Sequence, residues 1–333
     1  MSKHSNHVFL LGPSIVRKLI QVGYALFCLY IGWQFYRFYL WTMDLGPYVP
    51  RPAAVEAFLP IGALVSLKRL VLTGHWDMIH PAGLSFFIGV LFASFLFRRG
   101  FCAYVCPIGL INDALAWLGK VARVRLTPPR FVHIGLLGLK YLLLGFFAWS
   151  ILVKMDLGAI DSFMRSPYNL TVDARMLLFF LHPSTTSLIV MGVIAALCIF
   201  FKHFWCTYLC PYGALLGILS IFSPVSVKRV EGECRHCKRC QESCPSSIRV
   251  WEKETVRVPE CIGCMECLDS CPEKGCLSLS LFGRRSLPWW VMPLGVVGVL
   301  LLTWILANFT GHWHTMIPDE RLKVIYKALL GHI

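Results

Sequence analysis

Two cysteine runs of identical spacing constrain this chain more than any other feature. The first reads Cys234-Arg-His-Cys237-Lys-Arg-Cys240-Gln-Glu-Ser-Cys244-Pro245, the second Cys261-Ile-Gly-Cys264-Met-Glu-Cys267-Leu-Asp-Ser-Cys271-Pro272. Both are C-x2-C-x2-C-x3-C-P. Three cysteines at that interval wrap a tight loop around one face of a metal–sulfur cubane and turn backbone N–H groups toward its sulfurs. The proline then keeps the loop from folding back as a helix. One C-x2-C pair would fit zinc as well, but a tetrahedral zinc site takes four ligands and has no use for two matching three-plus-one runs. Haem attachment is excluded, because Cys237 is followed by lysine and Cys264 by methionine, not histidine.

The pattern resembles the bacterial two-cluster ferredoxins, in which the fourth cysteine of each run ligates the other cluster. The resemblance assigns Cys234, Cys237, Cys240 and Cys271 to one [4Fe–4S] cluster, and Cys261, Cys264, Cys267 and Cys244 to the second. It implies a small α+β domain over 225–282.

The rest of the chain is too apolar for a soluble protein: 56% of its 333 residues are hydrophobic and 15% charged. The fold class expected is mainly α, a polytopic α-helical membrane protein of about five spans with the two-cluster insert. Span one is Leu19 to Trp41, an uncleaved run without a small-residue cleavage site. A polar stretch, Gly46 to Ala53, precedes an amphipathic helix from Val55 to Leu72, interrupted by Pro60, Lys68 and Arg69. Span two is Pro81 to Phe97, span three Phe131 to Val153, span four Pro183 to Phe201 and span five Pro288 to Phe309. A polar segment runs from Asp156 to Arg175. The tail, Gly311 to Ile333, ends in an amphipathic helix from Asp319. The domains are therefore 1–224 (membrane), 225–282 (ferredoxin-type) and 283–333 (last span and tail).

Basic residues set the orientation. Arg98, Arg99, Lys120, Arg123, Arg125 and Arg130 lie between spans two and three; Lys202, Lys228, Arg229, Lys238, Arg239, Arg284 and Arg285 lie between spans four and five. The positive-inside rule makes both regions cytoplasmic. The location expected is the bacterial cytoplasmic membrane, with the tail on the periplasmic side. Eight reduced thiols needed for cluster loading agree with a cytoplasmic insert. The formal charge of +14 falls by about four when two clusters are bound. What remains flanks the spans, so it speaks for topology and not for nucleic acid.

An internal repeat organises the membrane part. His80-Pro81, an apolar span and Cys102-x3-Cys106-Pro107-x-Gly109 match His182-Pro183, an apolar span and Cys206-x3-Cys210-Pro211-x-Gly213. Both copies run the same way, which predicts two parallel halves about an axis along the membrane normal. On a helix, i and i+4 place each cysteine pair on one face. Cys102, Cys106, Cys206 and Cys210 are thus candidate ligands of a further iron–sulfur cluster; buried apolar thiols are the plainer reading.

These motifs together resemble the NapH/NosR/CcoG superfamily of membrane polyferredoxins, nearest to its NapH-type quinol dehydrogenase components. The resemblance spans about Cys102 to Pro272. It implies electron transfer between the quinone pool and a reductase in anaerobic respiration, alongside other subunits of a respiratory reductase or cytochrome complex. A fifth span and a tail with His312-Trp313-His314 depart from the NapH pattern. The alternatives are a CcoG-like metal (copper) reductase fed by cytoplasmic electrons, and a redox-sensing or scaffolding subunit.

His80, His182 and Asp161 are candidates for a quinone site, which needs proton acceptors in an apolar slot; helix entry before proline is the plainer role of both histidines. Lys140, inside span three, either tunes a nearby cluster or snorkels to the boundary. Arg235, Lys238 and Arg239 suit docking of an acidic cytoplasmic flavodoxin or ferredoxin. Cys276, Cys28 and Cys198 are expected to be packing residues.

Overall fold

The computed structural model describes residues 12–126 and 128–331. Among them, three helices are long and apolar enough to cross a membrane: Pro13–Thr42, 131–154 and Val291–Phe309. They correspond to expected spans one, three and five. The first begins at Pro13, ahead of Leu19, so Arg17 and Lys18 lie within its opening turns.

Expected spans two and four are shorter. Pro81–Phe97 has 17 residues, about 26 Å at 1.5 Å per residue, a little under the ~30 Å hydrocarbon core. Span four starts at Thr185 and is preceded by Val172–Leu181, bent from it by 77°; counted together as one broken span, they raise the total to four. The break has a local cause, since Pro183 has no N–H to give and crowds the preceding turn.

Proline also divides the expected helix from Val55 to Leu72. A 3-10 turn, Ala53–Phe58, is followed by an α-helix, Pro60–Thr73, with Pro60 in its first turn. The polar segment after Asp156 forms short helices, Leu157–Met164 and Pro167–Leu170, capped by the side chains of Asp156 and Ser166.

Two compact units emerge. The first comprises residues 12–25, Leu91–Leu144 and Val193–Val299 and holds both C-x3-C-P motifs and the ferredoxin-type runs. Its sheet is antiparallel in the order β2-β1-β3-β4, with β1 Val225–Arg229, β2 Thr255–Val256, β3 Leu277–Leu281 and β4 Arg285–Leu287. β4 lies past Phe282 and pairs Leu287 with Leu279, so the sheet outruns the boundary expected from the cysteines alone. Val225, Val227, Val256 and Leu279 are buried.

The second unit comprises Leu26–Val90, Gly145–Gly192 and 300–331. Here the tail helix Asp319–Leu330 buries Leu322, Tyr326 and Leu330, one face at i, i+4, i+8, against Ile31, Phe35, Phe38 and Trp41. Its amphipathic pattern is satisfied by protein.

Candidate iron–sulfur sites

The two runs fold alike. In the first, His236 and Lys238 have φ of 51° and 61°; in the second, the matching Gly263 and Met265 have 67° and 62°. Left-handed residues on each side of the second cysteine curl the chain, and alternation of that hand with the ordinary one makes a concavity of backbone N–H groups suited to an anion. The short helices Arg239–Ser243 and Glu266–Asp269 follow, putting the third cysteine of each run in a first turn.

Each run completes its quartet with a cysteine from the other. Cys234, Cys237, Cys240 and Cys271 line one space, together with Cys276 and Trp251. Cys244, Cys261, Cys264 and Cys267 line another, walled by Val227 and Ile248. Among the described residues, no three His, Cys, Asp or Glu side chains gather tightly enough for a bare metal ion. Thiols set around a cavity fit a cubane, whereas zinc draws its sulfurs to ≈2.3 Å from one point. The first space is open at Cys237, which is exposed; Cys244 and Cys264 of the second are buried. Burial pushes the Cys244 thiol up to about 11 and Cys264 to about 12, so a metal that takes them as thiolates must displace their protons.

The C-x3-C-P motifs also come together, within the first unit. Cys102 lies in the helical turn Gly100–Tyr104 and Cys206 in a wider π-turn, Trp205–Leu209. Cys106 and Cys210 each stand at the N-terminus of a helix, Pro107–Val121 and Pro211–Ser220, with proline in the first turn. The Cys210 sulfur accepts from the Gly213 N–H at 3.2 Å, a position that favours a thiolate. The four are near neighbours: burial pushes Cys106 up to about 12, and Cys102 and Cys210 add to the rise. Cys206 is raised by burial and by all three others.

The second ferredoxin-type run rests on the segment around Cys102. Tyr104 Oη donates to the Gly263 carbonyl at 3.2 Å. Arg17, 2% exposed, donates to Glu266 at 2.7 Å, Asp113 at 2.6 Å and the Ala103 carbonyl at 3.2 Å. Asp113 also receives His203 Nε2 at 2.8 Å. Lys202 caps the carbonyls of Glu242, Ser243 and Cys244 at 2.8–3.0 Å. Lys140 does not reach solvent; it is buried, with Nζ 3.3 Å from Glu260, which also accepts from Tyr141 at 3.2 Å.

A 4Fe-4S binding domain model matches residues 79–125 and again 184–228, and a 4Fe-4S dicluster domain model matches 226–272. YccM of Escherichia coli K12, named "Putative electron transport protein", is 36% identical over 328 residues, covering 95% of this chain and 91% of its own. The chain belongs to the NapH-like polyferredoxins. The ferredoxin-type protein NapH of Haemophilus influenzae is 27% identical over 160 residues, 47% of this chain and 51% of NapH. The methylamine utilization ferredoxin-type protein MauN of Methylobacillus flagellatus is 27% identical over 196 residues, 57% of this chain and 60% of MauN. No solved structure matches. This polyferredoxin is an iron–sulfur electron-transport protein with membrane helices.

The quinone-site candidates of this polyferredoxin occupy different settings in the second unit. His182 is exposed at the end of Val172–Leu181. Asp161, half-exposed, pairs with Arg69 at 2.9 Å. His80 is buried, with Nε2 2.9 Å from the Asn169 carbonyl and Nδ1 3.5 Å from Glu56. Among the described residues, no hydrogen bond or ion pair joins the three. His80 belongs instead to a buried network that spacing did not reveal. Arg51 bonds Glu56 at 2.8 Å and Asp173 at 2.7 and 3.0 Å, and Tyr326 donates to Asp173 at 2.6 Å. Burial opposes a charged His80, but Glu56 outweighs it and the imidazole pKa is raised. The members of this network run from Arg51 to Tyr326, too widely separated for any spacing to single them out.

Proposed function

We propose that this polyferredoxin carries electrons between the quinone pool of the bacterial cytoplasmic membrane and a redox partner, most simply as a quinol-dehydrogenase subunit of anaerobic respiration. In this reading Cys234, Cys237, Cys240 and Cys271 hold one [4Fe–4S] cluster, Cys244, Cys261, Cys264 and Cys267 a second, and Cys102, Cys106, Cys206 and Cys210 a further iron–sulfur cluster. The observation that carries it is the gathering of three cysteine quartets in one compact unit: one open to solvent at Cys237, one packed against the segment 98–106, and one with two of its cysteines in that segment. The double match of one 4Fe-4S family model supports the parallel repeat.

When bound, such clusters supply one-electron steps at potentials set by charge, burial and hydrogen bonds. Cys244 and Cys264 of the second quartet are buried, and the cysteines of the third are half-buried. A quinol gives up two electrons and two protons, so proton acceptors are needed as well. His80 fits that role best of the three candidates: with Nε2 donating to Asn169, Nδ1 is the basic atom, and Glu56 stabilises the cation it forms. Around the open quartet, Arg235, Lys238 and Arg239 are exposed, and Lys238 lies 5.1 Å over the Trp251 ring. A basic rim suits an acidic cytoplasmic flavodoxin or ferredoxin.

The test is low-temperature EPR of the purified protein with iron and sulfide counts, before and after adding a reduced quinol analogue. Quinol-driven appearance of reduced-cluster signals is expected. Intact clusters that dithionite reduces and quinol does not would overturn the quinol reading.

A further inference from the structure

Arg98-Arg99 reads in the sequence as a positive stop at the end of a span, yet both side chains are buried, 0% and 2% exposed. Their hydrogen bonds go to carbonyls: Arg98 Nη2 to Val258 at 2.6 Å, Arg99 Nη1 to Pro259 at 3.4 Å and Nη2 to Cys206 at 3.5 Å. Arg98 Nε and Nη1 and Arg99 Nε have no partner. Among the described residues, no ion pair to a carboxylate is formed by either; Glu260 is engaged by Lys140 and Tyr141. A guanidinium does not lose its proton on burial, so it requires a negative group nearby.

The position of Arg99 points to that group. A Cβ built on Gly213 would lie 2.6 Å from Arg99 Nη2 and 3.5 Å from Cys210 Sγ. The guanidinium therefore lies against Gly213, beside the cysteine quartet. The repeat sharpens the contrast. Arg99 stands three residues before Cys102, and His203 three before Cys206. His203 already has a carboxylate, Asp113 at 2.8 Å. Arg99 has none.

We propose that Arg99 is the counter-cation of the iron–sulfur group held by Cys102, Cys106, Cys206 and Cys210, a positioning residue that raises that group's reduction potential. The proposal rests on the reading that these four cysteines hold such a group. Four thiolates and a cubane carry net negative charge, which one-electron reduction increases, so an adjacent fixed cation favours the reduced form.

The experiment is an EPR-monitored redox titration of the full-length protein in detergent, with dithionite as reductant and iron and sulfide counted per chain. Wild type is compared with R99K, R99M and the Cys102→Ser/Cys206→Ser variant. Iron unchanged in the cysteine variant sinks the underlying reading, independently of Arg99. With the third signal established, R99M should lower its potential alone. Its reduced-to-oxidised ratio at the wild-type midpoint should fall about tenfold, about 59 mV for a one-electron couple. R99K should restore most of the shift. A wild-type potential in R99M overturns the proposal. Should R99M fail to accumulate, it is placed in a chain with all four cysteines changed to serine. There the thiolates are gone and the remaining carboxylate, Glu260, is held by Lys140 and Tyr141, so R99M should raise the melting temperature; a fall would mark Arg99 as a packing residue and overturn the proposal.

Discussion

Arg17 donates to Glu266 at 2.7 Å, tying the opening turns of the helix Pro13–Thr42 to the loop between Cys264 and Cys267. The same guanidinium holds Asp113, on the helix that starts after Cys106. One buried cation thus braces two cysteine sites. Removing one member of a buried ion pair costs about 3–5 kcal/mol; partial exposure of both carboxylates screens them and brings the expectation for Arg17→Met to about 2–3 kcal/mol. Thermal melting in detergent reads the loss. A double-mutant cycle with Glu266→Gln should show coupling, and independent effects would mean that the brace is unimportant.

Gly263 is the position of the second run least tolerant of a side chain. Its φ of 67° disfavours any Cβ, and an added one would collide with the Met292 methyl. The left-handed conformation alone costs about 1–2 kcal/mol. Gly263→Ala should therefore lose iron from the Cys261-containing quartet first, measured as faster bleaching by a chelator. The first run should be spared, since His236 already sustains the equivalent turn with a side chain in place.

Much of this was legible because ligand spacing and proline are local signals. The cysteine runs and the break at Pro60 follow from neighbours in sequence. The pairing of Arg17 with Glu266 joins residues 249 apart, and no spacing rule reaches so far. Arg98 and Arg99 were disguised, because two arginines after an apolar run read as a topological marker whether they face water or lie buried. The bend before Thr185 needed the knowledge that the apolar run does not carry through Pro183. The strand Arg285–Leu287 was hidden because its partner, not its composition, makes it a strand.

The crossing of the two runs makes a sharp prediction. Cys244→Ser should deplete the cluster whose other ligands are Cys261, Cys264 and Cys267, and Cys271→Ser the cluster of Cys234, Cys237 and Cys240. Chelator-resistant iron and the loss of spin–spin interaction in EPR would show which cluster goes. Pairing each change with a substitution in its own or the other run tests additivity. If Cys244→Ser behaves like Cys240→Ser, the quartets are uncrossed.

His80 should make the second unit sensitive to alkali. Burial disfavours its charged form, but the Glu56 carboxylate outweighs burial and raises the imidazole pKa. The facing groups are Arg51, Asp173 and, through Asp173, Tyr326. The unfolded histidine titrates near 6.5. A group whose folded pKa is higher than that stabilises fully below about pH 6.5, and the contribution is lost as pH rises through the folded value. The melting temperature should therefore decline as pH is raised above neutrality. His80→Gln keeps a polar group there but removes the titration, so its profile should be flatter across the same window and lower at its acid end. Superimposable profiles would show that His80 is neutral in the folded protein throughout. That outcome would also mean that Glu56 does not raise the basicity of His80, and with it would go the reason to prefer His80 as the proton acceptor.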